Sequence, residues 1–295
     1  MTETASFSEQ VARLTIVGTG LLGASIGLGL RDAGYTGTIV GAGRRKVTVE
    51  RAKALGSLDE ATTDLAQAVS NSQMVILATP LGTFSDLLAR LAELDHDRLI
   101  MTDVGSTKQQ VCAEAERMLP EPARFVGSHP MAGGEQHGPN HARADLFATR
   151  TCIVTPTPGT APATVRLVKT LWSMLGMKLL EMSPPEHDRQ AATASHVPHA
   201  VAALLVQLAS RRGALGVAAT GFADTTRIAS GDPQVWTDIF MSNRREVGTA
   251  LEVFGGEFKQ FAVALAGGDQ EQLLQLLRQC KMDRDAWVSQ VRGNR

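Results

Sequence analysis

The 295-residue chain has one tyrosine, 4% aromatic residues, three cysteines and almost no net charge, 29 Lys and Arg standing against 30 Asp and Glu. Each scarcity excludes something. A charge of −1 argues against a general nucleic-acid or anionic-membrane partner. Cys112, Cys152 and Cys280 are odd in number and widely spaced, so they make neither a disulfide framework nor a zinc pattern, and no metal is expected. A reducing cytoplasm suits them best. The first twelve residues carry Glu3 and Glu9 and no long apolar core, so no signal peptide is expected. The longest apolar stretch, about a dozen residues from Val197, is too short to cross a bilayer. What the chain does have is 43% hydrophobic residues, enough for two cored domains, and 28 glycines.

Three of those glycines follow a β-branched apolar run in Leu-Thr-Ile-Val-Gly-Thr-Gly-Leu-Leu-Gly, residues 14–23. Gly18 permits a tight turn, Gly20 has no Cβ to block a pyrophosphate, and Gly23 lets the following helix pack closely on its strand. Leu21 and Leu22 open that helix, whose free N–H groups and dipole favour an anion. A second strand, Thr38 to Gly41, completes the βαβ unit. In NAD enzymes an acidic residue ends this strand; here the chain reads Gly-Arg-Arg-Lys from Gly43. Arg44 and Arg45 suit a 2′-phosphate, which favours NADP over NAD, and the alternative is a solvated basic turn.

Further strands are expected at Met74–Ala78, Leu99–Val104, Arg124–Gly127, Thr151–Thr155 and Lys178–Met182, with helices at Thr48–Leu55 and Ala163–Leu175. Thr79-Pro80 reads as the cap and first residue of a helix beside the cofactor. Ser183-Pro184-Pro185 ends this α/β Rossmann-type domain, residues 1–183. Residues 184–295 read as helix only: His187–Ser210, Ala214–Ala219, Val235–Phe254 and Phe258–Lys281. The segment Val197–Leu208 is apolar almost all round, suiting a helix buried in a core or between subunits, and a dimer is expected.

Four segments carry candidate chemistry. Gly105-Ser106-Thr107-Lys108 follows a strand, and Ser106 with Gln109 also reads as a capping box. Gly127-Ser128-His129-Pro130-Met131-Ala132-Gly133 places His129 in a Gly-flanked loop after a strand, where a neutral imidazole accepts a proton. In Ser195-His196-Val197-Pro198-His199, the two histidines are three apart and share a helical face, with Pro198 kinking the chain. Packing distortion is the plainer reading of that segment. The run Thr225 to Pro233 carries Arg227, which suits a carboxylate in a closed cavity, with Asp224 close by in sequence. Trp236 downstream is either pocket or core.

Together with the Gly-rich opening, these motifs in this order resemble the prephenate and arogenate dehydrogenase family of tyrosine biosynthesis, from about Leu14 to Asn243. The resemblance implies a Rossmann-type domain followed by an all-α dimerisation domain, and a homodimer. It implies that His129 contacts the substrate ring hydroxyl and promotes its deprotonation, that Ser106 orients substrate or histidine, that His196 and His199 line the substrate cavity, and that Arg227 holds a carboxylate. It adds Trp236 to the pocket and Glu135 as an acid that gates the pocket or meets an amino group. Ala223 departs from relatives that carry a basic residue there, which leaves substrate preference open. The implied reaction is oxidative decarboxylation of prephenate to 4-hydroxyphenylpyruvate with NADP or NAD, or of arogenate to tyrosine. A β-hydroxyacid dehydrogenase would want a catalytic lysine where His196 and His199 stand, and a non-catalytic NADP sensor would want a partner surface. No appended regulatory domain is expected after Arg295.

Overall fold

The computed structural model describes residues 6–94, 99–134 and 136–293. After a one-turn helix α1 (Phe7–Gln10), strand β1 (Arg13–Val17) leads through Gly18 and Gly20 into α2 (Leu21–Asp32). There follow β2 (Thr38–Ala42), α3 (Lys46–Ala54), β3 (Glu60–Thr62), α4 (Leu65–Val69), β4 (Met74–Leu77), α5 (Phe84–Ala92), β5 (Ile100–Asp103), α6 (Gln109–Met118) and β6 (Phe125–Pro130). These six strands are parallel neighbours in the order β3-β2-β1-β4-β5-β6. Strand β7 (Thr151–Thr155) adds antiparallel to β6, and beyond α7 (Pro162–Met174) β8 (Lys178–Glu181) pairs parallel with β7.

The sheet is covered on both faces, which is why its strands read as continuous apolar runs. Along β4, Met74 and Ile76 enter one buried cluster with Leu14, Ile16 and Trp172, while Val75 and Leu77 enter a second with Val17, Phe84 and Met101. Strand order reverses between β1 and β4, so a crevice opens at their carboxyl ends.

Helices α8 (Pro184–Ala191) and α9 (Val197–Arg211) are one run interrupted by a π-helical turn at Ala192–His196. Pro198 has no N–H to give, and the Val197 N–H reaches back to the Ala192 carbonyl, a wide turn that absorbs the misfit. The run Pro184–Arg211 is long and apolar enough by composition to cross a membrane, longer than the apolar stretch expected from sequence. His187 and Asp188 within it are buried and hydrogen-bonded to β6 and α6, as in the core helix of a packed domain. Of the two settings expected for Val197–Leu208, burial in the core of one chain is incomplete, since Leu204 and Leu208 are 59% and 56% exposed on the single chain.

Then come α10 (Thr220–Thr226), α11 (Pro233–Ser242), α12 (Arg244–Ala266) and α13 (Gln270–Gly293). Two helices expected as single are divided differently. Val235–Phe254 breaks at Asn243, whose side chain leaves the helix to bond the Asp188 carbonyl; Phe258–Lys281 breaks at Gly267-Gly268, where Gly268 takes a φ of +67°. Met1–Arg244 forms one compact unit and Arg245–Arg295 a second, made of nearly all of α12 and of α13. On the second unit Phe254, Phe258, Leu265 and Trp287 are exposed.

Candidate active site

At the carboxyl ends of β1, β2 and β4 lies a cleft of about 390 Å³ lined by Gly18, Gly20, Arg44, Arg45, Thr79 and Pro80 among others. Gly18 sits at φ +100°, and a Cβ there would stand 2.5 Å from the Ala78 carbonyl oxygen; one on Gly23 would meet the Gly18 oxygen at 1.9 Å. A Cβ on Gly20 would meet nothing within 4 Å, the open space that a bulky phosphate requires. The N-terminus of α2, with Leu21 and Leu22 in its first turn, has no side-chain cap. The Thr19 hydroxyl is buried without a partner among the described residues. Uncapped N–H groups, an orphaned hydroxyl and open space fit a dinucleotide pyrophosphate.

Strand β2 ends in Ala42, with no acid after it, and Arg44 and Arg45 are exposed at the cleft. The helix expected to start at Thr79-Pro80 starts later. Pro80 is extended (ψ 144°), a single 3-10 turn covers Leu81–Thr83, and the Thr79 hydroxyl accepts from Thr83 at 2.7 Å rather than capping.

His129 lies inside β6, not in a loop, because it pairs across the antiparallel ladder with Ile153. Its Nδ1 is 2.8 Å from Nε2 of His187, and Nδ1 of His187 is 2.7 Å from the Asp188 carboxylate. That carboxylate accepts the backbone N–H of Lys108 at 2.7 Å and of Gln109 at 2.9 Å, closing the N-terminus of α6. The Ser106–Gln109 capping box therefore does not form. Ser106 is half-buried in the β5–α6 turn. Burial above all, then His187, Lys108 and His196, holds His129 well below the usual imidazole value. Burial likewise lowers His187 against the opposing pull of Asp188.

The turn between β5 and α6 is pinned by a fully buried ion pair of Lys108 with Asp103. Lys108 Nζ also donates to the Ser128 carbonyl, and Asp103 accepts from the backbone of Ser128 and Gly105. The Ser128 hydroxyl pairs with Thr102 and accepts from Trp172 Nε1 at 3.0 Å. These bonds fix the strand that carries His129.

His196 and His199 are both buried, and burial lowers both, His196 to about 4. Asn243 Nδ2 lies 3.2 Å from His196 Nδ1, while His196 Nε2 and His199 Nδ1 have no partner among the described residues. Trp236 stacks on His199 at 3.5 Å between ring centres. His129, His187, His196 and His199 form a series in which a charge on one disfavours charge on the next. Arg227 begins a 3-10 turn after α10 and is exposed on the chain, not enclosed as expected. Glu135 lies outside the described residues.

The sequence matches known proteins as well. The family model described as "Prephenate dehydrogenase, nucleotide-binding domain" matches residues 26–181, and "Prephenate dehydrogenase, dimerization domain" matches 183–279. The chain belongs to the prephenate dehydrogenase family. The family is one of NAD(P)-dependent oxidoreductases, and its nucleotide-binding domain covers most of the sheet. The chain is 33% identical to a prephenate dehydrogenase of Bacillus subtilis over 95% of its own length and 77% of that protein's. It is 29% identical to a cyclohexadienyl dehydrogenase of Zymomonas mobilis, over 92% and 94% of the two chains. A crystal structure of prephenate dehydrogenase from A. aeolicus in complex with hydroxyphenyl propionate and NAD+ superposes with a TM-score of 0.88 at 33% identity, covering 93% of this chain and 97% of the other.

His187, Asp188, Asn243 and the Lys108–Asp103 pair were not expected from sequence. The available signal was slight, an adjacent His-Asp pair in the polar helix that Ser183-Pro184-Pro185 opens.

Proposed function

We propose that the chain catalyses the oxidative decarboxylation of prephenate to 4-hydroxyphenylpyruvate, with NADP preferred over NAD. The observation that carries this reading is the buried His129, neutral at ordinary pH, held through Nδ1 by His187 on the sheet that also carries the nucleotide cleft. When bound, the oxidised nicotinamide supplies the two-electron acceptor for the hydroxyl-bearing ring carbon.

This chain's residues supply the rest. His129 accepts the hydroxyl proton as the carbinol is oxidised, and loss of the ring carboxylate as carbon dioxide leaves an aromatic product. Arg227 pairs with a substrate carboxylate, His196 and His199 offer their unpartnered nitrogens to its polar groups, and Trp236 holds His199 in place. Ser106 orients the hydroxyl, and Glu135 gates the pocket or meets an amino group of the substrate. Arg44 and Arg45 meet the 2′-phosphate of the cofactor, in keeping with the absence of an acid after β2. The apolar surfaces of α9 and of the second unit pair with a second copy, in keeping with the family description of residues 183–279. Residues 1–183 then act as the nucleotide domain and 184–295 as the helical substrate and dimerisation domain. Reduced cysteines at all three positions suit the cytoplasm.

Arogenate is the second reading, favoured by the similarity to a cyclohexadienyl dehydrogenase. Initial rates with prephenate and arogenate, each with NADP and NAD, followed by nicotinamide absorbance, test the assignment. Prephenate with NADP is expected to give the highest kcat/KM. Higher values with arogenate move the assignment to that substrate, and folded protein that reduces neither cofactor with either acid overturns it.

A further inference from the structure

His129, His187 and Asp188 form a hydrogen-bonded chain whose direction is decided at its far end. The Asp188 carboxylate already accepts two backbone N–H groups at the start of α6, from Lys108 and Gln109, so it is an anchored anion that only accepts. His187 must therefore donate to it from Nδ1. His187 is completely enclosed, and the charged or titratable groups facing it are Asp188, Lys108, Asp103, His129 and His196, so its ring has one proton to place. Its Nε2 is then an acceptor, and the 2.8 Å bond to His129 takes its hydrogen from His129 Nδ1. A neutral imidazole with its hydrogen on Nδ1 has a bare lone pair on Nε2.

We propose that His187 and Asp188 are positioning residues which fix His129 in the Nδ1–H form, so that its Nε2 alone faces the substrate hydroxyl as acceptor. Without them the ring exchanges tautomers and turns, and part of the population presents a donor where an acceptor is required. The arrangement resembles in logic a carboxylate that fixes a catalytic imidazole, with a second imidazole inserted between the two. It deepens the oxidative role proposed for His129 and rests on that role only for its consequence in turnover, not for the tautomer itself.

Nitrogen-15 NMR of histidine-labelled full-length protein, without substrate, reads the tautomer directly, the His129 signals being assigned by their loss in H129N. The expected spectrum has a protonated, pyrrole-type Nδ1 and an unprotonated, pyridine-type Nε2 for His129. The reverse pattern overturns the proposal, whatever the substrate proves to be. In kinetics, H187F removes the acceptor and is expected to lower kcat roughly 10- to 100-fold with KM little changed, while H187Q, which keeps an acceptor oxygen, recovers part of the loss. In the H129N background H187F is expected to add nothing. A full further loss there, or equal effects of H187F and H187Q, overturns the positioning role. Absence of turnover in the parent protein with either cyclohexadienyl acid would instead remove the functional reading and leave the NMR result standing.

Discussion

Lys108 and Asp103, five residues apart across the β5–α6 turn, form an ion pair in which neither side chain is exposed to solvent. The pair holds the Ser128 main chain from both sides, through its carbonyl and its N–H, and so sets the strand position of the next residue, His129. A buried pair contributes little net stability compared with apolar residues, but removal of one partner leaves an uncompensated charge.

K108M is therefore expected to destabilise the protein by about 3–5 kcal/mol, and the double change D103N/K108M to recover much of that loss. Urea unfolding of the three proteins measures both. Equal stability of K108M and parent would show that the pair does not hold the turn.

Arg44 tests the cofactor preference. R44D places an acid at the end of β2, where a ribose 2′-hydroxyl is accepted and a 2′-phosphate repelled. The ratio of kcat/KM for NADP to that for NAD is expected to fall, chiefly through the KM for NADP. An unchanged ratio means that this side chain and the 2′-phosphate do not meet.

His129 and Arg227 are expected to fail differently. H129N removes the proton acceptor and is expected to lower kcat by about 10² to 10⁴ with modest change in KM. R227A removes a charged hydrogen-bond partner of the substrate, about 1.5–3 kcal/mol, and is expected to raise KM roughly 10- to 150-fold. Steady-state kinetics of both variants distinguish the roles, and exchange of the two patterns would exchange the assignments.

His196 makes stability depend on acid. Its native value is pushed down to about 4 by burial, against an ordinary 6.5, so below pH 6.5 the unfolded chain binds a proton that the folded chain refuses. Its contribution is present above that pH and is lost as the pH falls towards 4. The difference in urea midpoint between the H196Q variant and the parent is expected to move in the variant's favour between pH 7 and pH 4.5. A constant difference would mean that His196 is not the group titrating.

Much of this was legible beforehand because it depends on neighbours in sequence. The glycine spacing around Gly18, Gly20 and Gly23, the missing acid after β2 and the Pro198 misfit all act within a few residues, and the motifs carrying His129 and Arg227 were recognisable as a set. The unread parts are bonds between distant segments. Ser106 and Gln109 have the residues of a capping box, yet Asp188, some eighty positions away, takes the cap. His129 looked like a loop residue because its strand is extended by pairing with β7, and pairing of that kind leaves no periodic trace over six residues. Asn243 ends a helix that apolar spacing alone would continue, since its partners lie on α8 and on the π-helical turn.

The most direct test is a crystal structure of the protein with reduced NADP and 4-hydroxyphenylpyruvate. The phenolic oxygen of the product is expected about 2.6–3.2 Å from His129 Nε2, with His187 still bonded to Nδ1. A phenolic oxygen bound to some other side chain, with the His129 ring beyond hydrogen-bonding reach, would contradict the account.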